Sequence, residues 1–283
     1  MRTEQEMYGL ILGYAKKDER IKAVILNGSR ANPNVPKDKY QDYDIIYVVK
    51  ELERFKSDYN WLDFLGERLI MQMPEAMRYP SGEGYFNWQM LFTDGNRIDL
   101  TLIPIEKIGL IGDESLTQVL LDKDGIIPPF PPSDERDYLI KKPDKLFYDS
   151  CCNNFFWCMQ NVAKGIARDE LPYAMLMYHN VVRAELHDMI TWYIGTQNNF
   201  NITAGKMGKY FKKYLPPNFY KMYAKTYSNG DYINLWQAIY GACDLFRILA
   251  KAVADYFAYA YNQNDDDGIM KYLNMVKTDT FAK

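Results

Sequence analysis

The stretch from Asn27 to Asp44 reads N-G-S-R-A-N-P-N-V-P-K-D-K-Y-Q-D-Y-D and decides how this chain is interpreted. The apolar run before it ends in Gly28-Ser29, and the apolar run after it begins with Asp42 and Asp44. Side chains two residues apart on a strand lie on one face, with Cα atoms roughly 7 Å apart. Two carboxylates held side by side repel each other, and a bound cation relieves that repulsion.

The Gly28-Ser29 turn adds a second chemical signal beside the two carboxylates. Glycine allows the backbone to approach a ligand closely, and successive N–H groups in such a turn can cradle phosphate oxygens. A phosphate cradle next to a predicted magnesium site indicates nucleotide chemistry.

Asp99 is the candidate for a third carboxylate of this site. It lies in the run Arg97-Ile-Asp-Leu-Thr101, where strand alternation places it opposite to Ile98 and Leu100. Alone, an acid in this position is typical of a solvent-facing residue. Together with Asp42, Asp44 and the glycine-serine turn, it favours a metal site.

Composition narrows the class of substrate. The 283 residues allow two domains, and the net charge of −3 with a pI of about 5.6 lacks the basic footprint of nucleic-acid-binding proteins. A mildly acidic protein favours a small, cationic substrate over a nucleic acid. The sequence sets no oligomeric state.

The location that the sequence favours is the cytoplasm. No run approaches the roughly 18 apolar residues of a membrane span, so no membrane partner is expected. The N-terminus also lacks the layout of a signal peptide. The four cysteines form no C-x-x-C pair and are predicted to be buried free thiols; they are Cys151, Cys152, Cys158 and Cys243.

The first half of the chain alternates between helical and strand-like patterns, which predicts a mixed sheet flanked by helices. Helical periodicity covers residues 4–17 and 61–71, and a D-G turn joins the β-like runs 86–93 and 97–103. Further strands are predicted at 22–27, 44–49 and 116–121.

Pro128-Pro-Phe-Pro-Pro132 is the clearest break in the chain, because four prolines in five residues continue neither a helix nor a central strand. We therefore predict an α+β protein with a mixed-sheet domain over residues 1–127 and a helical bundle over 133–283. Long helical patterns cover 147–166, 171–193 and 235–257. Asp265-Asp-Asp267 is predicted to be a solvated loop.

These motifs resemble the polymerase β-like nucleotidyltransferases, and among them the aminoglycoside 6-adenylyltransferase (streptomycin adenylyltransferase) family. The similarity extends over nearly the whole chain, and it implies a nucleotidyltransferase catalytic domain over residues 1–127 and a helical substrate-binding domain over residues 133–283. The segments that carry it are Asn27–Arg30, Pro36–Asp38, Gln41–Asp44, Asp94-Gly95, Asp99–Pro104, Leu121–Gly125, Cys151–Asn153, Phe156-Trp157, Lys164-Gly165, Trp192–Gly195 and Gly205-Lys206.

The resemblance implies an enzyme that transfers AMP from ATP to a hydroxyl of streptomycin, a cationic aminoglycoside, and releases pyrophosphate. Asp42 and Asp44 would hold Mg²⁺, while Gly28 and Ser29 would meet the β and γ phosphates. Asp99 would complete the metal site or accept the proton of the attacking hydroxyl as general base.

Several further residues keep two interpretations each. Arg30 is either a phosphate contact or a loop arginine, and Lys206 either a nucleotide contact of the helical domain or a loop lysine. Glu185 and Glu170 are alternative general bases. Two guanidinium groups on streptomycin favour aromatic and acidic pocket walls, for which the candidates are Trp88, Trp192 and Glu185.

Two other functions stay open at this stage. One is an adenylyltransferase with a different small-molecule acceptor, and the other is a non-catalytic nucleotide-binding module. The presence of Asp42, Asp44 and Asp99 together disfavours the non-catalytic module.

Overall fold

The computed structural model describes residues 1–282, which form two compact units. The first unit is Met1–Asp137 and the second begins at Tyr138. The proline-rich segment 128–132 lies near the end of the first unit. Residues 133–137, which the sequence places in the helical domain, group with the first unit, to whose loops they hydrogen-bond.

The first unit is built on one mixed sheet of six strands. Its elements are α1 (Glu4–Lys17), β1 (Ile21–Asn27), β2 (Tyr43–Val49), α2 (Leu52–Ser57), β3 (Arg68–Gln72), β4 (Phe86–Phe92), β5 (Arg97–Pro104) and β6 (Thr117–Asp122). The strand order in the sheet is β3-β4-β5-β2-β1-β6. β2 and β5 are parallel, and the other neighbouring strands are antiparallel. The predicted fold class is confirmed.

The helix α1 has a strong start signal in the sequence and packs on the sheet. Thr3 and Glu6 form a capping box, in which the Thr3 side chain accepts from the Glu6 amide. One face of the helix buries Met7, Ile11 and Ala15 in the same apolar cluster as β1 and β2. The hydroxyl of Tyr47 on β2 donates to the Ile11 carbonyl at 2.7 Å, which ties the helix to the sheet.

The predicted helix over residues 61–71 is wrong. A 3₁₀ helix covers Asn60–Leu65, and the chain then passes through Gly66 at φ 112° into β3. Pairing with β4 supplies the backbone of Arg68–Gln72 with partners, although Leu69 and Ile70 remain exposed. Sheet hydrogen bonding, which short-range periodicity does not report, thus decides this segment.

The second unit is helical, as the periodicity predicts. Its elements are α3 (Lys145–Ala167), α4 (Leu171–Met177), α5 (Arg183–Gln197), α6 (Phe211–Tyr214), α7 (Pro217–Ala224), α8 (Tyr232–Phe257) and α9 (Gln263–Phe281). The apolar cluster of this unit is built mainly from α3, α5 and α8. The predicted helix over 171–193 is interrupted by a π-helical turn at Tyr178–Val182.

Residues Asp265–Asp267 are not a solvated loop, because they lie in the first turn of α9. Asp266 is fully buried and accepts hydrogen bonds from Arg247 Nε at 2.5 Å, Arg247 Nη2 at 2.7 Å and the Tyr261 hydroxyl at 2.8 Å. Burial alone would raise the pKa of Asp266, but these hydrogen bonds outweigh it and lower the pKa below its usual value.

We expect Asp266→Asn to lower the free energy of unfolding by about 3 kcal/mol, because it removes the charge that faces the Arg247 guanidinium. The folded-state pKa is lowered, so this stabilisation is fully present above the unfolded pKa of about 4 and disappears as the pH falls through the folded value. Urea unfolding at pH 7 and at stepwise lower pH measures both effects.

Asp244→Asn is the matched control for this prediction. Asp244 also pairs with Arg247, at 2.9 Å, but its side chain is 56% exposed. Its replacement should cost less than about 1 kcal/mol. Equal losses for the two variants would contradict the role given to Asp266.

All four cysteines are buried and free, as predicted. Within residues 1–282, no helix has both the length and the apolar character needed to cross a membrane.

Candidate active site

The candidate site lies at one edge of the six-stranded sheet. β1 ends there with Asn27, while β2 and the parallel strand β5 begin there. Asn27 pairs with Asp44, and Asp44 pairs with Asp99. The structure therefore places Asp44 between Asn27 and Asp99, with Asp42 immediately before the start of β2.

Gly28 follows β1 with φ of +71° and lies against the Asp44 side chain. A Cβ added to Gly28 would collide with Oδ2 of Asp44 and lie 3.1 Å from its Cγ. The Gly28 amide already donates to the Leu116 carbonyl at 3.1 Å. Gly28 therefore serves the site through its missing side chain, which lets the turn approach Asp44, and not through its N–H group.

We expect Gly28→Ala to lower turnover about 100-fold, because the added methyl group displaces the Asp44 carboxylate. The left-handed backbone should also cost about 1 kcal/mol of stability. Steady-state kinetics and thermal unfolding measure these two effects separately.

Gly82→Ala is the control for the Gly28 variant. Gly82 has a similar φ of +72° but nothing within 4 Å of the added Cβ. It should lose comparable stability and retain its activity. If both variants kept full turnover, the close approach of Gly28 to Asp44 would have no catalytic importance.

Arg97 is the counter-charge of the carboxylates in this structure. Its Nε and Nη2 donate to the two oxygens of Asp99 at 2.8 and 2.7 Å. Its Nη1 lies 3.3 Å from Oδ2 of Asp42. The Arg97 guanidinium thus bridges the carboxylates of Asp99 on β5 and of Asp42, the residue before β2.

Burial and mutual repulsion make the ionised forms of the central carboxylates costly. Burial, followed by the charges of Asp99 and Asp42, raises the pKa of Asp44 to about 6, and Arg97 only partly opposes this. Burial likewise raises the pKa of Asp42, again against the effect of Arg97. A divalent cation would reverse this cost, since it favours both ionised carboxylates.

The donor set fits Mg²⁺, which prefers carboxylate oxygens, and the side chain absent at Gly28 leaves the Asp44 oxygens approachable. Asp42 and Asp44 are the residues that would hold the ion. Among residues 1–282, no three acidic, histidine or cysteine side chains already converge as a metal site. In this structure Asp99 is turned to Arg97, as its two hydrogen bonds show.

Arg30 does not have the phosphate-contact geometry that the sequence allowed. Its side chain is 9% exposed and stacks over the Tyr43 ring at 3.7 Å. Its Nε donates to the Asp42 carbonyl at 3.1 Å and its Nη2 to the Gln41 carbonyl at 2.8 Å. Arg30 therefore holds the backbone that leads into Asp42. Ser29 is half-buried in the turn, and its contact with phosphate stays a prediction.

Of the residues predicted to bind substrate, Trp88 is excluded. It has no exposed surface and pairs with Leu100, whose side chain lies on the face of β5 opposite to Asp99. Trp192 and Glu185 lie on α5 in the second unit. Trp192 packs partly buried against the helical core, and Glu185 accepts from Asn154 Nδ2 at 2.5 Å.

Lys206 lies in the second unit beside a cavity of about 560 Å³. His187, Asp188 and Thr191 of α5 also line this cavity. His187 is held by the Tyr223 hydroxyl, 2.8 Å from its Nε2, and burial together with Arg183 lowers its pKa. His187 thus has a hydrogen-bond partner within the helical unit, where it packs against the ring of Phe211.

Residues 1–276 match the family model described as streptomycin adenylyltransferase. The chain belongs to this family. It is 40% identical over 276 residues to an aminoglycoside 6-adenylyltransferase of Bacillus subtilis (strain 168), with 96% of this chain and 97% of the relative covered. It is also 40% identical over 270 residues to one of Campylobacter jejuni, with 94% and 93% covered.

A crystal structure of an aminoglycoside 6-adenyltransferase from Bacillus subtilis is also similar. It is 36% identical, covers 98% of this chain and 99% of its own, and has a TM-score of 0.48. The predicted family is confirmed by the family model and the curated relatives, and with it the assignment as a nucleotidyltransferase.

Two residues close to the carboxylates, Arg97 and Glu114, were not predicted from the sequence. Arg97 could have been found, because it lies two residues before Asp99 on one strand and therefore on the same face. Glu114 had no local signal. Its Oε2 accepts from Asn27 Nδ2 at 3.3 Å, and its charge contributes to the raised pKa of Asp44, after burial and the charges of Asp99 and Asp42.

Proposed function

We propose that the protein transfers AMP from ATP to a hydroxyl of streptomycin and releases pyrophosphate. The observation that carries this proposal is the alignment of Asp44 with Asp99 on parallel neighbouring strands, directly beneath the Gly28 turn. Family membership supports an aminoglycoside as acceptor, because the matching relatives are named aminoglycoside 6-adenylyltransferases.

The reaction joins the acceptor hydroxyl oxygen to the α-phosphorus of ATP as the bond to the pyrophosphate oxygen breaks. A carboxylate takes the hydroxyl proton, and we assign this role to Asp99. Asp42 and Asp44 would hold Mg²⁺, which would supply positive charge to neutralise the leaving pyrophosphate. Ser29 contacts the phosphates, and Arg30 holds the Asp42 backbone in position.

Lys206, Trp192 and Glu185 are our proposed substrate contacts from the second unit. Lys206 lines the cavity described above and would contact the nucleotide, while Trp192 and Glu185 would offer an aromatic face and a carboxylate to the cationic acceptor. A location in the cytoplasm, where ATP is abundant, stays a prediction that the four free cysteines support.

Pyrophosphate release from ATP and Mg²⁺ tests the proposal, with streptomycin, kanamycin or spectinomycin as acceptor and a reaction without acceptor as the blank. Release stimulated by streptomycin alone is the expected result, and Asp44→Asn should abolish it. Stimulation by another aminoglycoside alone would overturn the choice of streptomycin. ATP binding without release for any acceptor would indicate a different acceptor or a non-catalytic nucleotide-binding module.

A further inference from the structure

Residues Ser133–Asp137, here called the post-proline segment, touch both loops that flank the Gly28 turn. One loop follows the turn and includes Asn32 and Asn34, and the other precedes β6 and includes Ser115. Glu135 and its partner Asn32 are 103 positions apart in the chain, and Asp137 and its partner Ser115 are 22 positions apart.

Glu135 makes the contacts to the loop after the turn. Its Oε1 accepts from Asn32 Nδ2 at 2.8 Å and its Oε2 accepts from Asn34 Nδ2 at 3.3 Å. Asn32 is only 7% exposed, and its Oδ1 accepts from the Asn34 amide at 2.9 Å. The Asn32 amide in turn donates to the Ser29 carbonyl at 3.3 Å. One carboxylate thus holds the chain that leaves Ser29.

Ser115 is held on the other side of the turn. Its amide donates to Oδ2 of Asp137 at 2.8 Å, and its carbonyl accepts from the Ser133 hydroxyl at 3.2 Å and the Asp134 amide at 3.0 Å. The next residue, Leu116, accepts the hydrogen bond of the Gly28 amide. The contacts of Glu135 and those of Ser115 therefore both reach the backbone of Gly28 and Ser29, from opposite sides of the turn.

The loop between β1 and β2 needs such support. Apart from one 3₁₀ turn at Gly28–Arg30, residues 28–42 have no regular secondary structure, and ordering each residue costs conformational entropy. Hydrogen bonds to an ionised carboxylate are among the stronger ones in proteins. The prolines directly before the segment reduce the entropy that its own ordering costs.

We propose that Glu135 is a positioning residue for the nucleotide-binding turn and acts through Asn32. It sets the conformation of Gly28 and Ser29 before ATP binds, and it touches neither substrate nor metal. This inference rests on the proposed function, since it takes the turn to be the phosphate contact.

Glu135→Ala tests the proposal in the full-length protein. It should raise the KM for ATP about tenfold, the effect of losing one charge-assisted hydrogen bond, with kcat changed less than about twofold. Glu135→Gln keeps one acceptor oxygen for Asn32 and should stay within about threefold of wild type. A double-mutant cycle with Asn32→Ala should be clearly non-additive.

Arg136→Ala is the matched control. Arg136 lies in the same segment, but its exposed side chain pairs with Asp134 at 2.7 Å, and its backbone amide also donates to the Asp134 side chain. It should leave the KM for ATP unchanged. An unchanged KM in Glu135→Ala, or a fall in kcat at constant KM, would overturn the proposal, as would an equal effect in the control.

Hydrogen exchange separates this proposal from the proposed function. Amides of residues 28–34 should exchange faster in Glu135→Ala than in wild type, with or without ATP. If wild type shows no ATP-dependent turnover, the proposed function has failed, and the exchange comparison still decides whether Glu135 orders the turn. If Glu135→Ala does not fold, the same measurements on Asn32→Ala, which removes the partner through which Glu135 acts, decide it, and wild-type exchange and KM in that variant would overturn the role of Glu135.

Discussion

Replacing Asp44 by Asn should lower AMP transfer by about 10³-fold or more and leave the protein folded. Asp44 lies between Asn27 and Asp99 and beneath Gly28, in the position from which we propose that it holds the cation. Because burial and repulsion raise the pKa of Asp44 to about 6, its charge opposes folding in the absence of metal. The variant should therefore melt at the same temperature as wild type in EDTA, or higher.

Magnesium distinguishes the two proteins in the same thermal experiment. Adding Mg²⁺ with ATP should raise the Tm of wild type and leave that of Asp44→Asn unchanged, because only the native state of wild type binds the ion. Asp113→Asn removes an exposed charge next to Glu114 and is the control for net charge. Turnover of Asp44→Asn within tenfold of wild type would make the metal assignment wrong.

Asp99→Asn should lower turnover about 10²- to 10³-fold, the range of a lost general base, while metal-dependent ATP binding changes by less than about threefold. The reason for this split is Arg97, which donates to both oxygens of Asp99 at 2.8 and 2.7 Å and lies farther from Asp42, at 3.3 Å, so we propose that Asp42 and Asp44 hold the ion. Titration calorimetry with a non-hydrolysable ATP analogue and Mg²⁺, beside steady-state kinetics, measures both quantities.

Two outcomes would contradict this role for Asp99. Equal loss of ATP binding in Asp99→Asn and Asp44→Asn would make Asp99 a metal ligand. Turnover of Asp99→Asn within tenfold of wild type would place the base elsewhere, and Glu185→Gln would then be the variant to compare. Glu170, the other alternative, is an exposed residue at the start of α4.

The common face of Asp42 and Asp44 was predictable because it depends on local rules. Strand alternation is set by the pleat, so spacing along one strand reports which side chains share a face. The same rule placed Asp99 opposite to Ile98 and Leu100, both of which are buried. The same rule also places Arg97 on the face of Asp99, within the site. It places Trp88 on the opposite, buried face, because Trp88 pairs with Leu100.

Other features depended on partners far away in the chain. The sequence predicted a solvated loop for Asp265–Asp267, whereas in the structure Asp266 is buried and forms an ion pair with Arg247 on α8. Periodicity predicted a helix for residues 61–71, whereas in the structure part of this segment is a strand that pairs with β4. In both cases a tertiary contact satisfies polar groups that local sequence leaves without a partner.

Local sequence thus specified the chemical groups of this protein: the glycine turn, the carboxylate spacing, and the change from mixed sheet to helices after the prolines. Folding in three dimensions decided how those groups are used. The parallel pairing of β2 with β5 brought Asp44 beside Asp99, and the clamp from Glu135 onto Asn32 spans 103 positions. The reason is physical, since alternation and turn formation act over a few residues, whereas strand pairing and ion pairing depend only on distance in space.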